Sequence, residues 1–66
     1  MIKIYLACEN DECVYSQIEA YIASHPEHEW IIEWSDEYTW VDGYASELYL
    51  LRVLRDIQNI IEASKR

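Results

Sequence analysis

The stretch Glu29 to Trp34, EWIIEW, constrains the fold of this chain more than any other. Trp30, Ile32 and Trp34 alternate with Glu29, Ile31 and Glu33, the period of two that marks an extended strand. A strand buried on both faces reads as a continuous apolar run, so one face of this strand must stay wet and largely acidic. Whatever covers the sheet lies on the tryptophan side.

The rest of the chain supplies the covering elements. Ile2, Ile4, Leu6 and Cys8 alternate with Lys3, Tyr5 and Ala7 and predict a first strand. Glu9-Asn10 breaks that pattern. Val14, Ile18, Tyr21 and Ile22 fall at i, i+4, i+7 and i+8, which predicts a helix from an Asn10 cap to about Ser24. Asp11 and Glu12 suit the positive end of its dipole, and His25-Pro26 stops it. Ser35-Asp36-Glu37 reads as a turn, and Tyr38-Thr39-Trp40-Val41 as a third strand returning antiparallel in a hairpin. Asp42-Gly43 ends the sheet. From about Tyr44 to Ala63, Leu50, Leu54, Ile57 and Ile61 form one face of a long helix, flanked by Leu51, Val53 and Ile60. Lys65 and Arg66 suit its negative end. The predicted architecture is α+β: a two-layer β-α-β-β-α domain over residues 1–66, with a three-stranded mixed sheet and both helices on one face. Its predicted core is Ile4, Leu6, Trp30, Ile32, Leu50, Leu54 and Ile57.

Charge is the second strong signal. The net charge is −8, from 13 acids and 5 bases. Residues 4–51 hold eleven of the acids and no base, whereas the other eighteen residues carry a net +3. Such polarity repels nucleic acid and anionic membrane and attracts a basic partner. A soluble domain ordinarily mixes both signs, and self-repulsion on this scale costs stability. The imbalance therefore points to function rather than to solubility alone. No run nears the roughly 18 apolar residues of a membrane span, and MIKIYLAC is too short and too alternating for a signal peptide, so the expected location is the cytoplasm.

Catalytic and metal readings find little support. Cys8, Cys13, His25 and His28 are spaced C-x4-C-x11-H-x2-H, close to a zinc finger, but a helix separates the pairs and Pro26 divides the histidines. Two reduced thiols and two surface imidazoles are the simpler reading. A thiol–imidazole pair from the same residues lacks an orienting group and an oxyanion donor. Cys13 in a first helical turn gains thiolate character, which Asp11 and Glu12 oppose. Asp36, Glu37 and Asp42 lack the spacing of a calcium loop, and so short a chain hardly builds a hydrolase cleft. No catalytic residue, metal or cofactor is assigned.

The aromatic residues admit two readings. Trp30 and Trp34, joined by Trp40, are core on one strand face, or they form a platform for stacked bases. The platform needs positive charge for the phosphates, and residues 4–51 have none, so no direct nucleic-acid contact is expected. The six tyrosines suit a protein interface.

MIKIYLAC and LRVLRDIQNIIEAS resemble parts of nucleoside 2-deoxyribosyltransferase-like proteins. The resemblance implies that Tyr5 matches a substrate-side tyrosine on the first strand and Asp56 the aspartate of a later helix. The chain would be a truncated relative that binds or processes nucleosides as an oligomer. Ser64 stands where that family usually has Asp, no Gly-rich turn follows Ala7, and no glutamate lies in the context of the family's nucleophile. In size, acidity and lack of catalytic signature the chain is also similar to small phage-encoded inhibitors, anti-CRISPR proteins and other DNA mimics. That likeness implies a non-catalytic inhibitor in the host cytoplasm. Its partner would be a basic nucleic-acid-binding protein or complex, with a CRISPR surveillance complex the first candidate.

The acids assigned to that partner are Glu29 and Glu33 on one strand face and Asp36, Glu37 and Asp42 around the hairpin, with Glu27 and Glu47 extending the row. Alternate strand residues lie about 6.6 Å apart, a spacing able to imitate phosphates. Trp40, Tyr38 or Tyr44 would anchor the contact. The spare apolar positions of the last helix leave a homodimer as a further expectation.

Overall fold

Ile2, Ile4 and Leu6 are completely buried because their strand is the middle one of three. The structure, a computed structural model, describes residues 1–7 and 12–64. It contains β1 (Ile2–Leu6), α1 (Glu12–Ala23), β2 (Trp30–Trp34), β3 (Trp40–Gly43) and α2 (Glu47–Ser64). The order β-α-β-β-α and the mixed three-stranded sheet are those predicted. β1 runs parallel to β2 and antiparallel to β3, in the spatial order β2-β1-β3. The predicted cap at Asn10, with Glu9, Asp11 and Cys8, lies outside the described residues, as do Lys65 and Arg66.

The two later strands do not form the predicted hairpin. The connection crosses the end of β1 and delivers β3 to its far edge. Two bonds tie the crossing down: the Ser35 N–H donates to the Leu6 carbonyl at 2.8 Å, and the Ala7 N–H to Thr39 Oγ1 at 3.2 Å. Two inter-strand spacings amount to about 10 Å, which the residues between Trp34 and Trp40 span easily. The most apolar strand thereby gains a partner on both edges. Tyr38 and Thr39 are spent on the crossing, so β3 starts at Trp40 and runs to Gly43.

Register fixes the faces. Ile2, Ile4 and Leu6 stand beside Trp30, Ile32 and Trp34, and Ile4 beside Val41. This side meets both helices, since one cluster joins Ile4 and Leu6 to Val14 and Ile18 of α1 and Val53, Ile57 and Ile61 of α2. Trp30 and Ile32 pack against that cluster but stay half-buried, because β2 is an edge strand and the helices cover it only in part. Trp34 is 53% exposed and rests against Tyr15, ring centroids 6.2 Å apart; it is not core.

The α2 seam is rotated from the predicted one. Val53, Ile57 and Ile61 are buried, whereas Leu50 and Leu54 are half-buried flanks. The helix also starts later than the hydrophobic pattern implies. Ser46 caps it, accepting the Tyr49 N–H at its hydroxyl (3.2 Å) and the Leu50 N–H at its carbonyl (3.0 Å). At the end of α1 the Ser24 hydroxyl donates to the Tyr21 carbonyl at 2.7 Å, and Pro26 blocks continuation as predicted. Among the described residues no helix is long and apolar enough to cross a membrane.

Candidate functional site

Both helices lie on one side of the sheet, so the other side is open. It carries the odd-numbered residues of β1 and β2 and the even-numbered residues of β3. Glu33, Tyr5 and Trp40 form one row across the three strands, and Ile31, Lys3 and Asp42 the next. Glu33 and Asp42 are exposed; the other four are half-buried. Tyr5 and Trp40 stack nearly parallel, centroids 4.2 Å apart with 15° between the planes. Tyr38 extends the stack, tilted at 5.2 Å from Trp40. The rings stand like books on a shelf, with a carboxylate at the β2 end. A groove of about 320 Å³ lies beside them, lined by Met1, Lys3, Tyr5, Asp42, Gly43 and Tyr44.

The eight residues assigned from sequence do not form one row. Glu33, Trp40 and Asp42 come together on the open face. Asp36 and Glu37 lie in the crossing connection, past the end of β1, where the Glu37 N–H donates to Ser35 Oγ at 3.3 Å. Glu29, Glu27 and Glu47 belong to the opposite end. The Glu29 carbonyl accepts the Ile2 N–H at 2.8 Å, and Glu27 Oε1 accepts the Tyr49 hydroxyl at 3.3 Å. Glu47 opens α2. The length of β1, about 13 Å, separates the two groups. Glu27 is held below the ordinary carboxylate range, chiefly by its own backbone N–H, with Tyr49, His25 and His28 adding to the effect.

Sequence reasoning missed Tyr5 as the ring beneath Trp40. The signal was its odd position in β1, which became readable only once β3 is known to pair with β1. It also missed a cluster at the end of α1. There Tyr21 donates to Asp56 Oδ2 at 2.8 Å and faces His25 at 4.5 Å, while Trp30 Nε1 donates to the His25 carbonyl at 2.9 Å. His28 lies 5.0 Å from Tyr49. These contacts join α1, β2 and α2, and no sequence spacing announces them.

Burial first and the Asp56 carboxylate second push the Tyr21 phenol well above its ordinary value. Its neutral form is therefore the one the fold favours, and the contribution is complete below about pH 10. Tyr21→Phe should cost about 1 kcal/mol at neutral pH. The gap between parent and variant should narrow as pH rises above about 10, because the phenol ionises in the unfolded chain while the fold keeps it neutral. Urea midpoints on both sides of pH 10 measure it; a gap that stays constant removes the bond as its source.

The transferase reading gains nothing from the arrangement. Tyr5 stands on the open face, while Asp56 reaches Tyr21 in the helical layer, so the sheet separates them. His25 Nδ1 lies 2.9 Å from the Tyr21 carbonyl, and Gln17 Nε2 donates to Cys13 Sγ at 3.4 Å; Cys8 is outside the described residues. Among the described residues no cluster of three or more His, Cys, Asp or Glu side chains is placed to hold a metal. Among the described residues, one further groove is lined by Tyr15, Glu19, Ile22, Ala23, Trp30 and Ile32, and another by Tyr38, Thr39, Gln58, Asn59, Ile61 and Glu62. The chain as a whole matches no family model, no curated protein and no solved structure.

Proposed function

We propose that this protein is a non-catalytic acidic inhibitor that docks on a basic, nucleic-acid-binding surface of another protein. The observation that carries this reading is the open sheet face. A stack of Tyr5, Trp40 and Tyr38 is left uncovered by the chain's own helices, with Glu33 and Asp42 on its flanks. Aromatic anchors inside a charged rim are the usual anatomy of a protein-binding patch. Eleven acids and no base between residues 4 and 51 make that rim mainly negative, although Lys3 also stands on the face. A surface of Lys and Arg built to meet phosphates is its electrostatic complement.

The split of the acids into two groups adapts the mimicry. A single row would follow one strand of phosphates. Here Asp36 and Glu37 mark one end of the patch, Glu29 and Glu47 the other, and the aromatic stack lies between them. The imitation is of charge at both margins, with apolar contact in the middle. Among nucleic-acid-binding assemblies, a CRISPR surveillance complex is the first partner to try, since small acidic inhibitors of that type resemble this chain in size and charge.

The test is binding to purified nucleic-acid-binding complexes, a CRISPR surveillance complex among them, with and without competing DNA. Binding should be displaced by DNA and should weaken as salt rises. Reversing Glu33, Asp36 and Glu37 to lysine should weaken it about tenfold or more while the circular dichroism stays unchanged. Reversing Glu27, Glu29 and Glu47 reports whether the other margin also touches. Binding that ignores both salt and the reversals, or coexists with DNA on every complex, would sink the reading.

A further inference from the structure

We infer that the open face holds an anchor point for one arginine of its partner, formed by Tyr5 and Glu33. This deepens the reading above and rests on it. Trp40 covers one face of the Tyr5 ring at 4.2 Å. The other face of that ring looks across the sheet toward β2, where the cross-strand neighbour of Tyr5 is Glu33. Adjacent strands lie about 4.8 Å apart, so a cation laid on that free face comes within reach of the Glu33 carboxylate, and the two define the slot assigned to the arginine. Glu33 is exposed and able to swing clear of the ring.

That slot suits a guanidinium better than any other basic group. A guanidinium is flat, so it can lie against the phenol ring, where the π-cloud attracts a cation. Its forked N–H groups then point sideways at a carboxylate, which they meet two at a time. An ammonium is a compact, strongly hydrated point charge; it gains neither the stacking nor the paired bonds. Trp40 already stacks on one face of Tyr5, so ordering the ring on binding costs little.

Among the described residues the open face carries one basic side chain, and it sharpens the argument. Lys3 lies two residues before Tyr5 on the same face, with Ile31 and Asp42 as its cross-strand neighbours. Asp42 thus has an internal cation beside it, while the carboxylate next to Tyr5 faces an aromatic ring. The groove of about 320 Å³ running past Lys3, Asp42 and Tyr44 gives room for the partner residue that follows the arginine.

The test compares a nine-arginine with a nine-lysine peptide by calorimetry at one ionic strength. The parent should bind the arginine peptide about fivefold tighter or more. Tyr5→Leu keeps an apolar side chain but removes the π-face, and should bring the two peptides to parity. Glu33→Gln, at an exposed position that leaves the fold alone, should do the same. Lys3→Gln removes a competing cation and should tighten both peptides. Glu62→Gln, exposed near the C-terminal end of α2 and outside the assigned row, should leave the preference intact. Equal binding of the two peptides by the parent, or a preference that survives both Tyr5→Leu and Glu33→Gln, overturns the arginine anchor and leaves the acidic-inhibitor reading standing. Failure of the parent to bind either peptide overturns both.

Discussion

Ile57→Ala is expected to unfold a large fraction of the protein near physiological temperature. Ile57 is completely buried where α2 meets β1 and α1, so truncation removes apolar contact and leaves a cavity. Such changes cost about 2–5 kcal/mol, against a total stability for small domains that starts near 5 kcal/mol. Chain length worsens the balance, because so small a domain has no second core to fall back on. Leu54→Ala should cost clearly less, since Leu54 is a half-buried flank whose neighbours and solvent can close over the gap. Urea midpoints of the two variants measured side by side decide the matter. Equal losses would mean that the seam of α2 runs through Leu54 after all.

That contrast also locates what the sequence could say about α2. Hydrophobic periodicity identified the helix and its buried side, yet placed the seam on Leu50 and Leu54 instead of Val53. Apolar residues fill more than half a turn here, so several stripes fit the same pattern. Only packing against β1 and α1 chooses between them, and the choice brings the shorter Val53 side chain to full burial. The strands tell a similar story. Alternation gave the faces of β1 and β2 correctly, including the wet face that carries Glu33. It could not give the partner of β3, because pairing is a property of two strands and a hairpin was the simplest way to join neighbours. The bonds that direct the crossing, at Leu6, Ala7, Ser35 and Thr39, are backbone contacts and one threonine hydroxyl. The candidate site inherited both outcomes. Glu33, Trp40 and Asp42 were singled out from charge and aromatic content and share one sheet face, but the Tyr5–Trp40 stack exists only because β3 lies beside β1.

Gly43→Ala should detach that stack from the sheet. Gly43 has φ = +142°, a conformation that side chains with a Cβ rarely adopt. Strain of that kind costs about 1–3 kcal/mol by itself. A Cβ there would also collide with the Met1 carbonyl oxygen and stand 2.8 Å from Ile2 Cα, both of them backbone atoms. The Met1 carbonyl is committed, accepting the Tyr44 N–H at 2.8 Å, and Ile2 is register partner to Gly43 itself. Neither can retreat without opening the β1–β3 ladder. The Asp42 carboxylate, which accepts the Gly43 N–H at 2.8 Å, would lose its place as well. The short β3 has few other bonds to hold it, so the expected result is a lower melting temperature together with a change in tryptophan emission as Trp40 leaves Tyr5. Binding should fall with it, since the aromatic middle of the patch is lost while every acid remains. Asp42→Ala is the control: it removes the carboxylate without adding a Cβ against Met1, and should lower stability only slightly. If Gly43→Ala melts with the parent and keeps its emission, β3 is not docked against the start of β1 in solution, and the open-face site built on that docking falls with it.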